Sequence, residues 1–128
     1  MADLFSDLTT VVLRKSLDLV GYKQRVIANN IANVETPGFK RSDVSFEEQL
    51  RAALSSTGSA DIAEERIGEI QPTVQEDTLS PMRADGNNVS IDKEMAELTK
   101  NALQYETLIR MYNMKNAMLL TAITEGKR

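Results

Sequence analysis

Near both ends of the chain the apolar residues recur at alternating steps of four and three, and that spacing fixes most of what the chain can fold into. Leu13, Leu17, Val20, Gln24, Ile27, Ile31 and Val34 keep the rhythm, with Gln24 the one polar member. Ile91, Met95, Leu98, Ala102, Tyr105, Ile109, Tyr112, Asn116, Leu119 and Ile123 keep it for longer, and only Asn116 is strongly polar. On an α-helix such positions share one face and form a seam of the coiled-coil kind. The spacing predicts a mainly α fold. Long helices over about 1–35 and 90–125, each roughly 45 Å long, pack as a coiled-coil-like hairpin. Val12, Leu19 and Val26 widen the first stripe, while Leu4, Leu8 and Val11 precede it in a shifted phase. Leu103, Leu108, Met111, Met114 and Met118 spread the second stripe past a single seam, so the second helix is expected to face more than one neighbour. Those methionines suit either an adaptable partner surface or ordinary core packing.

The helix boundaries carry their own signals. Pro37 disfavours helical geometry at Thr36. Thr36-Pro37-Gly38-Phe39 has Pro and Gly where a type II turn wants them. Gly21 within the first helix costs about 1 kcal/mol against Ala. Ser90 reads as an N-cap, with Asp92 and Glu94 complementing the helix dipole. Gly126 reads as the stop, with Lys127 and Arg128 suited to the negative end.

The segment between the helices, about 36–89, is a different material. Ser45 to Leu54 has the makings of a short helix, and Ser55 to Ala60 is linker composition. Asp61 to Glu69 is acidic and weakly apolar, and Gln71 to Ala84 mixes Pro72 and Pro81 with polar residues without a period. Extended pieces or a short hairpin are expected there, an irregular or β-containing insert within one structural unit. Asp85-Gly86-Asn87-Asn88 is a strong turn that launches the second helix. With so loose a middle the two stripes lack companions, and packing against other subunits is expected to complete them.

Most chemistry is excluded by residue usage. The 128 residues include no Cys and no His, which removes thiol nucleophiles, Ser-His-Asp triads, thiolate zinc sites and His-ligated metals together. Glu47-Glu48 and Glu64-Glu65 are adjacent pairs, which point apart on a helix and make no acid-base dyad. Asp85-x-Asn87 begins like a calcium loop, but Val89 falls at the third oxygen position and no Glu closes it. No enzyme activity, cofactor, metal or small-molecule substrate is expected. The net charge of −4 and the lack of a basic stripe speak against nucleic acid. No stretch is apolar over the roughly 18 residues that span a bilayer. Asp3, Asp7, Arg14 and Lys15 leave no room for a secretory apolar core, so no cleaved signal is expected.

Three amides close the first helix: Asn29, Asn30 and Asn33. Either they set register against a neighbouring subunit or they are solvated amides near a helix end. The run Ala28-Asn29-Asn30-Ile31-Ala32-Asn33, followed by Thr36-Pro37-Gly38-Phe39-Lys40, resembles the N-terminal signature of the bacterial flagellar axial proteins, the rod, hook and hook-associated subunits. Short length and Thr-Pro-Gly are similar to the proximal rod members. So are Ser45-Phe46-Glu47-Glu48-Gln49-Leu50, the block from Pro81 to Val89, Glu94-Met95-Ala96 and Tyr105. Ser55 to Thr78 carries no family block. The resemblance implies a structural subunit of the periplasmic rod of the basal body, exported without a cleaved signal. Its implied partners are copies of itself, other rod proteins and the adaptor joining rod to membrane ring. Another short rod paralogue, or a helical adaptor or export chaperone, are the competing readings.

Overall fold

The computed structural model describes residues 8–55 and 58–126, so Leu4, Lys127 and Arg128 lie outside it. Six elements follow in order: α1 (Leu8–Ala32), β1 (Ser42–Ser45), α2 (Glu47–Ser55), α3 (Ala60–Glu69), β2 (Thr73–Glu76) and α4 (Ile91–Glu125). α1 and α4 form the antiparallel hairpin that the two stripes predict. Glu94 near the start of α4 meets Asn30 near the end of α1, and Asn101, one heptad on, reaches back to Val20 and Gln24. A side chain at Gly21 would sit 4.0 Å from Tyr105, an ordinary contact, so this glycine is not required for the approach of the helices.

α1 is used on two sides. Besides α4, it carries a core in which Leu19 and Val20 meet Val44 and Phe46 at β1, Ala53 of α2, and Ile67 and Ile70 at α3. The middle segment is β-containing as expected, and its described residues pack as a cap on α1. The element missing from the sequence reading is α3. Its apolar positions Ala63 and Ile67, followed by Ile70, are all buried against α1 and α2, and burial of one narrow stripe stabilises a helix whose other face is acidic. β1 and β2 pair antiparallel, Ser42 opposite Glu76 and Ser45 opposite Thr73.

The turn after α1 is as the sequence predicts. Phe39 N–H donates to Thr36 O at 3.2 Å, and Gly38 has φ of 74°, the left-handed value that a type II turn demands of its third residue. Ser90 caps α4, accepting from Lys93 N, and Gly126 ends it.

Burial divides the predicted seams. Leu13, Val20 and Ile27 are buried, and Leu17, Ile31 and Val34 are half-buried. On α4, Leu98, Tyr112 and Leu119 are half-buried, while Ile91, Met95, Tyr105, Ile109 and Ile123 are exposed. What α4 presents to α1 lies one position earlier at alternate steps: Glu94 and Asn101, both buried, and the half-buried Leu108.

Candidate assembly site: a polar clasp and an apolar flank

The base of the hairpin is held by side chains that satisfy one another. Asn30 is fully buried. Its amide nitrogen donates to Ser42 O at 2.8 Å and to Glu94 Oε2 at 3.1 Å, and its Oδ1 accepts from Ser42 N at 3.0 Å. The carboxamide thus reads the backbone of β1 as a neighbouring strand would, and ties it to α4. Arg41, one residue upstream of β1, donates Nε to Glu94 Oε1 at 2.5 Å and Nη1 to Asp77 Oδ2 at 3.0 Å. Burial alone would favour the neutral guanidine, but the bonds to Glu94 and Asp77 outweigh it and raise the Arg41 pKa. A buried charge of this kind is tolerated because it is both paired and hydrogen-bonded.

The Asp85–Asn88 turn supplies the other half. Asn87, fully buried, donates to the carbonyls of Asn33 at 2.9 Å, Val34 at 3.1 Å and Thr36 at 2.8 Å. These carbonyls belong to the turn that follows α1, and Asn87 gathers all three, with help from Arg83 on Val34 O. Asn88 accepts from Arg41 N at 2.7 Å and donates to Asp77 O at 2.6 Å. Gly38 N–H donates to Asp85 O at 2.8 Å, and Lys40 Nζ donates to Gly86 O. The two motifs that sequence reading singled out, 36–40 and 85–88, are therefore two faces of one clasp. Asp85 Oδ1 accepts from Asn87 N at 3.0 Å, which makes the Asp-Gly-Asn run a turn.

The three signature amides divide. Asn30 is neither a solvated amide nor a bridge between subunits, because its bonds are spent inside the chain. Asn33 stays local, donating to Asn29 O at 2.8 Å and accepting from Thr36 Oγ1 at 3.1 Å, with Asn29 exposed. Ala28 and Ala32 are exposed, Ile31 is half-buried between them, Thr36, Pro37 and Gly38 lie on the surface, and Phe39 and Lys40 are half-buried. Sequence reading missed Arg41, Asp77 and Glu94 as clasp members. A buried charge has no apolar period to betray it.

Away from the clasp α4 changes character. Leu103 is 60% exposed, Met114 60% and Leu120 66%, joined by Tyr105, Ile109, Met111, Met118 and Ile123. These side chains surround much of the helix, and a helix apolar on several sides belongs in a buried setting. Among the described residues no group of acidic side chains is arranged to hold a metal, and no helix is long and apolar enough to cross a membrane.

The fold is a helical hairpin closed by an Asn-rich, Pro-Gly-terminated signature, with an apolar face of α4 left uncovered by the described residues. The family model described as flagella basal body rod protein matches residues 22–40, the second half of α1 and its turn. Three relatives carry the comparison across the chain. The flagellar basal body rod protein FlgB of Bacillus subtilis is 36% identical over 90% of this chain and 92% of its own length. That of Borrelia hermsii is 33% identical over 89% and 96%, and that of Aquifex aeolicus 30% identical over 98% of each. The chain belongs to the FlgB family of flagellar basal body rod proteins.

Proposed function

We propose that the chain is a structural subunit of the proximal rod of the bacterial flagellum, part of the drive shaft that carries torque across the periplasm. The observation that carries this reading is the apolar flank of α4 from Leu103 to Ile123, which finds no cover within the described chain. It is to be covered by copies of the chain, by other rod proteins and by the adaptor joining rod to membrane ring. Head-to-tail contacts that do not close on themselves generate a helical tube. Side chains packed at interior density across such contacts resist compression and twist. The clasp has the complementary task. It fixes the angle and register of α1 against α4, so that load meets a rigid unit. The seam positions Ile91, Met95, Tyr105, Ile109 and Ile123 belong to the surface between subunits in this reading. Export proceeds without a cleaved signal, as an unfolded chain.

Ile109→Asp tests it in cells lacking the native protein. The side chain is 36% exposed in the lone chain, so unfolding of the purified variant should shift by less than about 1 kcal/mol. In the rod the new carboxylate is buried without a partner, and rods and motility should be lost. Normal motility with intact rods would contradict the reading.

A further inference from the structure

The two outer edges of the small sheet are treated differently. Asp77 N–H donates to Arg41 O at 2.8 Å, and Ser42 faces Glu76 in the register. In an antiparallel ladder, pairs that exchange backbone bonds alternate with pairs whose backbone groups point away. Asp43 with Gln75 and Ser45 with Thr73 therefore face inward. Ser42, Val44, Val74 and Glu76 turn their N–H and C=O groups outward. On β1 that outer edge is occupied. Asn30 bonds both backbone groups of Ser42, and Asp43 Oδ1 accepts from Val44 N at 2.9 Å. On β2 no side chain among the described residues does the same for Val74 or Glu76. All four residues of the strand are exposed, and Val74 itself is 45% exposed opposite the buried Val44.

An open, half-apolar edge is a template for another strand. Its surroundings say which kind. The depression beside it, about 490 Å³, is lined by Arg41, Asp43, Gln75, Glu76, Asp77 and Leu79 among others. That is three carboxylates against one guanidinium, and Arg41 is already committed to Glu94 and Asp77. Leu79 stands 94% exposed just past the strand. A second copy laid along this edge would add its own Asp43, Glu76 and Asp77 to a margin that already holds three carboxylates, and such crowding of like charge weakens pairing.

We propose that the free edge of β2 accepts an extended, basic segment of a different protein by strand addition. Backbone bonds run to Val74 and Glu76, and the Lys or Arg side chains on one face of the added strand lie over Glu76. This goes beyond the packing of helices, since it assigns a second contact on the opposite part of the molecule from the α4 flank. Main-chain pairing supplies the affinity in such complexes, and alternate side chains supply the choice.

The test is an amide-resolved NMR titration of the full purified chain with two synthetic pentapeptides, one alternating lysine and valine, the other glutamate and valine. The lysine peptide should shift the amides of Val74 and Glu76 first, and the effect should fade as salt is raised. Val74→Pro removes an outward N–H that the ladder to β1 does not use, so it should abolish the shift at Glu76 while the chain stays folded. Should that variant unfold, Glu76→Lys serves instead, and the preference should move toward the glutamate peptide. Unmoved Val74 and Glu76 amides, or equal response to both peptides, would overturn the proposal. So would a disulfide between two copies of Val74→Cys in isolated basal bodies, because it would put a second copy on this edge.

Discussion

The two ends of the helical hairpin are built from opposite materials. At the base, the buried residues are polar, and Asn30, Arg41, Asn87, Asn88 and Glu94 meet one another or the backbone at bonding distance. Toward the far end of α4 the apolar residues are exposed, Met111 at 49%, Met118 at 59% and Leu120 at 66%. One end has polar groups inside with every major partner supplied by the chain. The other has hydrocarbon outside with no cover among the described residues. The contrast teaches where shape is decided and where association is decided. Directional bonds fix a unique register because few arrangements satisfy them. Apolar surface is less particular and suits contacts that must recur along a shaft.

The comparison breaks most readily at Glu94. Glu94→Ala leaves Arg41 buried with one of its two carboxylates gone and Asn30 short of an acceptor. Removing one partner of a buried pair costs about 3–5 kcal/mol. Denaturant unfolding of the purified chain should show a loss of that order, and a loss below about 1 kcal/mol would mean the clasp is ornamental. A truncation as severe at exposed Leu120 should leave the purified chain nearly unaffected.

A smaller effect sharpens the electrostatic side. The Ser80 hydroxyl and the amides of Leu79 and Ser80, reinforced by Arg41, hold the Asp77 carboxyl well below the usual carboxylate range. A depressed folded pKa stabilises the fold above the unfolded value, near 3.9, and that stabilisation is lost as pH falls from there toward the folded value. Asp77→Asn does not titrate. Between pH about 5 and 2 its stability should therefore fall less steeply than that of the parent chain, as followed by denaturant melts at each pH. Parallel curves would remove Asp77 from the account.

The smallest effect lies midway along the hairpin. At Gly21 a methyl group has room, with Tyr105 at 4.0 Å. Gly21→Ala should raise the stability of the lone chain by about 0.5–1 kcal/mol, read as a higher midpoint in thermal unfolding. Destabilisation would show that α1 and α4 lie closer than described.

The sequence made the hairpin and its turn readable because periodicity and turn chemistry are local. Leu13, Val20 and Ile27 fall inside as their spacing requires, and Gly38 takes the conformation its position in Thr-Pro-Gly requires. Glu94 and Asn101 were hidden for a physical reason. A seam is read from apolar residues, whereas these two are buried by virtue of partners at least 53 and at least 77 residues away in the chain. Asn30 belongs to the signature, yet its partners are within the chain, on β1 and α4, where neither the subunit-register nor the solvated reading puts them. α3 was lost among acidic residues, although Ala63, Ile67 and Ile70 keep the four-three rhythm and were the available signal. The clasp itself joins the 36–40 and 85–88 motifs into one object, and no local rule joins them.

Native-state hydrogen exchange along α4, in the free chain and in isolated basal bodies, tests the central claim most directly. The account predicts slow exchange from Glu94 to Leu108 in the free chain and fast exchange from Met111 to Ile123, with both stretches slow in the assembled rod. Equal protection along the whole of α4 in the free chain would contradict it.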